Sequence, residues 1–283
     1  PDIATLYAES LMDLRPWDLW STEGQPRPET PAVVRTLERV LAQHPEHPGA
    51  NHLYIHAVEA SPNPERADAA AERLRTLVPA SGHMVHMPSH IDVRTGRWGR
   101  AADQNQAAIA AHRAYERRSP RQDLYRAYMF HNDHFLAYAC MMEGRERDAR
   151  AAARAMIDSI PEQFYRDYAP VADAYSAIEV ESLMRFGRWD DILALPQPRA
   201  ELPITRALWR FARAVSLAAK GDAPAARAEQ RLFRTQAAAI PPEAMMAVNP
   251  ARTVLALADE MLEGEILYRE GDIPGAVRHL RAA

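Results

Sequence analysis

Three short stretches carry imidazoles at helical spacing. His52, His56 and Glu59 stand at i, i+4 and i+7, His83, His86 and His90 at i, i+3 and i+7, and His131 and His134 at i, i+3. On an α-helix each set falls on one face. Of the 11 histidines only His279 lies beyond residue 134, so the density is local. Packing several polar rings together is costly unless each finds a partner. A metal ion satisfies several at once, because neutral imidazole is a favoured ligand for zinc, copper, iron and nickel. The candidate ligands are therefore His52, His56, Glu59, His83, His86, His90, His131 and His134. Leu53 follows His52 and no Glu lies between His52 and His56, so this is not the HExxH pattern of metalloproteases.

Seven imidazoles exceed the four ligands of one closed structural zinc. Two metal ions, each with about three His and with Glu59 terminal or bridging, use the set economically. Three functions follow. An imidazole-rich pair suits an oxidoreductase, copper first with zinc or iron as alternatives, that activates O₂ on a small organic substrate. A zinc-type hydrolase would use Glu59 as general base. A non-catalytic solenoid would bind a peptide or protein and keep the metal for rigidity. Met84 and Met87 interleave the histidines, as soft ligands or as core filler. Asp92 and Asp133 are placed to orient imidazoles. Trp17, Trp20, Tyr54, Tyr125 and Tyr128 are candidates to wall a pocket, Glu9 sits on the outer face of the first helix, and Cys140 reads as a buried structural thiol. No GxSxG, P-loop or GxGxxG pattern is present.

The elements that must carry these side chains are helical. Ala, Leu, Arg and Glu dominate, and there is no sustained alternation of β-branched residues. Glycine turns punctuate the chain at Gly96, Gly144, Gly187, Gly221 and Gly271, each followed five residues later by a small or apolar residue: Ala101, Ala149, Ile192, Ala226 and Ala276. Ser61 to Ala67 is a further turn built on Pro and Asn. Ala67 to Ala101 spans 34 residues, and later intervals are 48, 43, 34 and 50. This pattern resembles the tetratricopeptide repeat (TPR), a helical hairpin of 34 residues. The segments Pro48 to Glu59, Gly82 to Ile91 and His131 to Phe135 resemble those of a group of bacterial TPR proteins, a likeness that suggests a fold and a motif but no reaction.

The resemblance implies an all-α fold, a right-handed α-solenoid of TPR-like hairpins whose first helices line a concave groove. One continuous solenoid over 1–283 is expected: a leading helix (Asp2 to Leu14) and an irregular insertion in 1–28, His-rich repeats in 29–143, and further repeats in 144–283. Counting back fifteen residues from Ala67, Ala101 and Ala149 reaches His52, His86 and His134; counting back eleven reaches His56, His90 and Tyr138. The rows predicted across the groove are thus His52–His86–His134 and His56–His90, with Tyr138 a candidate catalytic group where its neighbours have His. His112, on a second helix, is expected to face away.

Composition narrows the partners. The net charge of −4 lacks the basic footprint of a nucleic-acid binder, and no apolar run approaches the ~20 residues of a membrane span. A single cysteine excludes an internal disulfide. The expected partner is a small molecule in the groove, or a peptide or protein, in the cytoplasm by default. A start without Met and an end inside a helical pattern read as a segment of a longer protein.

Overall fold

A computed structural model describes residues 1–283 as an all-α protein. The one sheet is a two-stranded ribbon, Met245–Met246 against Asn249–Pro250. No helix is long and apolar enough to cross a membrane. The chain forms two compact units, Pro1–Arg145 and Glu146–Ala283.

The first unit contains α1 (Asp2–Met12), α2 (Thr30–Gln43), α3 (Pro48–Val58), α4 (Asp68–Leu77), α5 (Gly82–His86), α6 (Pro88–Arg94), α7 (Trp98–Glu116) and α8 (Arg126–Glu143). Successive helices pack as neighbours, and α3 also meets α6 while α5 meets α8. The three histidine-bearing segments are thereby brought side by side. Beneath them lies an apolar core that includes Val33, Leu37, Ile55, Leu74, Met87 and Ile91. Met87 is thus core filler, and Met84 packs against the same cluster.

Two local departures from the expected helices have clear causes. The first helix stops at Met12, two residues early. The segment Gly82 to Arg94 is interrupted at Pro88, which has no N–H to donate and crowds the carbonyl of Met84. Met87 keeps helical backbone angles, so this is a kink between α5 and α6 and not a loop. The irregular insertion after α1 is fastened down: Trp20 donates its indole N–H to the Ala57 carbonyl at 2.8 Å, and Thr30 donates to the Leu19 carbonyl at 2.6 Å.

The glycine turns are Schellman caps. At Gly96, φ is +74°, the Arg97 N–H donates to the Asp92 carbonyl at 2.7 Å, and the Gly96 N–H donates to the Val93 carbonyl at 3.3 Å. Gly144, Gly187, Gly221 and Gly271 repeat the pattern with φ between +64° and +90°. The left-handed backbone satisfies the last carbonyls of each helix at little steric cost only for glycine. All five residues that follow at +5 are buried.

The second unit contains α9 (Glu146–Ser159), α10 (Glu162–Asp167), α11 (Ala169–Ser176), α12 (Ile178–Arg185), α13 (Trp189–Ala194), α14 (Pro203–Ala219), α15 (Ala223–Ala239), α16 (Ala251–Glu270) and α17 (Ile273–Ala282). Its core is built on Ile192, Leu208, Phe211, Phe233 and Leu262. Asp173 caps α14, accepting from the backbone N–H groups of Ile204 and Thr205 at 2.8 Å each.

Replacing Gly96 by Ala isolates the turn's contribution, since a Cβ there would meet nothing within 4 Å. The variant should lose about 1 kcal/mol through left-handed strain alone, read as a lower denaturant midpoint with unchanged slope.

Candidate metal centre

Six imidazoles and one carboxylate converge in the first unit. His52 and His56 on α3 and His83 on α5 form one group whose ligand atoms all lie within 4.8 Å of one another. His86 on α5, His90 on α6 and His131 on α8 form a second, and His56, Glu59 and His90 form a third, overlapping both. The first group is partly exposed, and the second has two buried members. Ring centroids of His56 and His90 are 5.0 Å apart and those of His83 and His86 6.2 Å, so the two imidazole trios are contiguous.

The surrounding hydrogen bonds assign the tautomers. Asn105 donates its amide N–H to the Ala101 carbonyl at 2.8 Å, which turns its oxygen toward His86 Nδ1 at 2.7 Å. His86 Nδ1 must then be the donor, and Nε2 of the neutral ring carries a lone pair. Glu59 accepts from His56 Nδ1 at 2.7 Å and from His90 Nδ1 at 2.6 Å, so the Nε2 atoms of these rings also face away from their anchor. His86 Nε2 and His90 Nε2 meet at 2.8 Å. In neutral rings two lone pairs would be opposed there, so the contact requires an electrophile between them, a proton or a metal cation. His52 Nε2 and His83 Nε2 stand at 3.1 Å, and His83 Nδ1 is buried without a hydrogen-bond partner. Ligand bonds of about 2.0–2.1 Å place neighbouring imidazole nitrogens about 2.9–3.4 Å apart. Both pairs lie near that range, and the donors fit a transition metal.

Aromatic side chains frame the two trios differently. Phe135 packs 4.8 Å from His86, 4.9 Å from His90 and 4.8 Å from His131, touching every ring of the inner trio. The outer trio is flanked by Trp17, edge-on to His56 at 5.1 Å, and by Tyr128, 4.8 Å from His83. Both flanking rings are exposed. Trp17 holds φ at +63°, a conformation that costs a bulky side chain about 1–3 kcal/mol and that clusters at functional sites.

Of the two expected rows, His56–His90 is met, with ring centroids 5.0 Å apart, and His52–His86–His134 is displaced. His52 meets His83, and His86 meets His131. His134 is not among the ligand groups, and Tyr138 is exposed with its ring 6.0 Å from Trp98. For His134 the cause is the rotation of α8 about its axis, whereas Tyr138 shares nearly the angle of His131 and lies about 10 Å farther along the helix. At about 100° per residue, Tyr128 and Phe135 lie some 40–60° to one side of His131 and His134 about 60° to the other. Helix α8 turns the Tyr128–Phe135 side to the site.

Several other candidates have structural occupations. Both Asp92 oxygens pair with arginines, Arg75 at 2.7 Å and Arg97 at 3.0 Å, so Asp92 orients no imidazole. Glu9 is exposed and Cys140 fully buried. His47 caps α3, its Nδ1 accepting from the Ala50 N–H. His112 is buried and not exposed, held between Asn132 at 3.0 Å and the Tyr125 hydroxyl at 3.4 Å. It lies against Gly82, where a Cβ would fall 2.2 Å from its ring, so only glycine allows α5 to begin there. Asn105, Ser89 and Phe135 complete the site and carried no sequence signal beyond helical placement.

Burial governs the protonation of the rings. It depresses His52 and His83 to about 3, with neighbouring imidazoles adding to the effect, and holds His86 and His131 well below their ordinary value. Burial alone would raise Glu59, but His90 and His56 outweigh it and hold the carboxyl below its usual range. Burial raises Asp133 to about 7.

These shifts set the acid sensitivity of the metal-free protein. Above the ordinary imidazole value of 6.5 the His52 and His83 rings are neutral whether folded or unfolded. Below it the unfolded chain binds protons that the folded site refuses, so stability falls with pH. His52 and His83 should each add about 1.4 kcal/mol per pH unit between 6.5 and about 3. Denaturant unfolding of the metal-free protein from about pH 7 down to 5 measures the slope, and H52A should flatten it; a flat wild-type profile would refute the burial argument. No known protein family, curated protein or solved structure matches this chain.

Proposed function

We propose that this chain is a transition-metal protein of the oxidoreductase type, with a dinuclear centre of two tri-histidine sites. The inner site takes His86, His90 and His131, and the outer site His52, His56 and His83. The observation that carries this reading is the approach of His86 Nε2 and His90 Nε2, two nitrogens whose opposite ring atoms are anchored so that both lone pairs aim at one point. Copper is the favoured metal because both donor sets are wholly imidazole, and when bound it would supply one-electron exchange with dioxygen. The substrate is a small organic molecule entering at the outer trio between Trp17 and Tyr128. Phe135 packs against the inner trio.

The donor set favours this over zinc-type hydrolysis. A general base needs a carboxylate free to take a proton, whereas both Glu59 oxygens already accept from imidazole N–H groups. The scaffold in this reading is a right-handed TPR-like solenoid, supported by the five repeated Schellman caps and the buried residue at +5.

Elemental analysis and Cu²⁺ titration test the proposal. Wild type should bind two equivalents and show visible absorption. H86A should lose at least one, and H44A, which removes an exposed histidine outside the cluster, should lose none. Binding of no metal by wild type, or equal metal content in H86A and H44A, would overturn it. A colourless protein purified with two zinc ions and inert toward copper would replace the oxidoreductase reading with the hydrolase.

A further inference from the structure

Glu59 is the one side chain that hydrogen-bonds to both trios. It stands at the C-terminal end of α3, where Oε1 accepts from His56 of the outer trio and Oε2 from His90 of the inner trio. Each bond requires its imidazole to carry hydrogen on Nδ1, and each therefore presents a lone pair on Nε2. The carboxylate is half-buried, and both of its oxygens are taken by imidazole N–H groups. Orienting partners of this kind govern ligand basicity and ring position, and their loss costs about 10- to 100-fold in metal affinity.

From this geometry we infer that Glu59 is a positioning residue and not a metal ligand, and that it couples the two centres so that filling one organises the other. The inference rests on the two-centre reading above. When a cation fixes His90 Nε2 in the inner trio, His90 Nδ1–H is held on Oε2. The carboxylate plane is then set, and with it the direction from which Oε1 holds His56. The outer trio is ordered before it binds, and its affinity rises. The same linkage runs in reverse, because coupling between two binding equilibria is reciprocal.

The carboxylate and its amide isostere separate this role from simple packing. The side-chain amide of E59Q has an oxygen that accepts and a nitrogen that only donates. It can hold one imidazole in the required tautomer, but offers an N–H to the other and drives that ring toward Nε2–H, removing its lone pair from the metal. Co²⁺ is the probe, since its visible spectrum reports coordination and its stepwise affinities are read by competition with a chromophoric chelator. Wild type should bind two equivalents, with the second at least as tight as the first. E59Q should keep one equivalent within about threefold of wild type, with unaltered band energies, and weaken the other by about 10- to 100-fold. E59D keeps the charge and both acceptors at shorter reach, and should retain two equivalents with reduced cooperativity. Two equivalents in E59Q with wild-type stepwise affinities would overturn the coupling. A shift of band energies at the equivalent that E59Q retains would show the carboxylate to be a ligand and overturn the positioning role. Should E59Q fail to fold, E59D decides alone: unchanged cooperativity sinks the inference. Failure of wild type to bind Co²⁺ or Cu²⁺ at all would instead sink the two-centre reading on which it rests.

Discussion

A carboxylate accepting from two imidazoles at once is the contact on which this site depends. Six histidine rings packed in partial or full burial bring their nitrogens where water is restricted, and a buried polar atom without a partner costs about 1–3 kcal/mol. Glu59 absorbs one nitrogen from each of two rings, and Asn105 absorbs one from a third. Those three anchors share a consequence: the nitrogen left over on each ring is the one that faces the interior of the cluster. Anchoring creates the convergence. An arrangement meant only to fill space would gain more from apolar side chains, because a polar cluster that is partly satisfied is worse than an apolar core.

Helix termini control where those anchors stand. The Schellman cap at Gly96 ends α6 four residues past Asp92, and Asp92 is tied by Arg75 from α4 and Arg97 from the turn. The end of α6 is thus pinned from two directions while His90, two residues before Asp92, points the other way toward Glu59. Gly82 plays the matching part at the start of α5. Without a Cβ it lets α5 approach His112 on α7, so His83 and His86 emerge where α3 and α8 can reach them. The kink at Pro88 lies between His86 and His90, and their Nε2 atoms meet at hydrogen-bond distance.

Much of this was legible in the residues. Helical class, the glycine caps, the buried +5 positions and the gathering of histidines on three helices all follow from spacing, because a period of 3.6 and a left-handed glycine are strictly local properties. The pairing across helices was legible for His56 and His90 but not for the other row. Spacing defines which residues share a face, but the rotation of a helix about its axis is decided by everything packed on it. On α8 the outcome placed Tyr128, His131 and Phe135 at the site, with His134 and Tyr138 elsewhere. Counting back from a turn assumes equal rotation in every hairpin, and the Pro88 kink already breaks that equality between α3 and α5. The orienting groups were hidden for another reason. Asp92 carries the charge that suggests a partner for imidazole, yet arginine competes better for a buried carboxylate, with five donors in a rigid fork. Asn105, with no charge to advertise it, took the role at His86.

The two trios differ in burial: the inner one has two buried members and the outer one none. Ions in a sealed, low-dielectric setting interact strongly with their ligands and exchange slowly, whereas an open position is what allows a substrate to enter. Phe135 lies against all three inner rings, of which His86 and His90 are buried and His131 is half-buried. The outer trio has Trp17 and Tyr128 beside it, both exposed, and Trp17 in a backbone conformation its size does not favour. Evolution could relieve that strain with glycine at no cost to the fold's hydrogen bonds, unless the indole is wanted there. The insertion that carries Trp17 is itself tied to α3 through the Trp20 indole, one residue beyond His56. An aromatic ring therefore stands edge-on to the one histidine that Glu59 links to the inner trio.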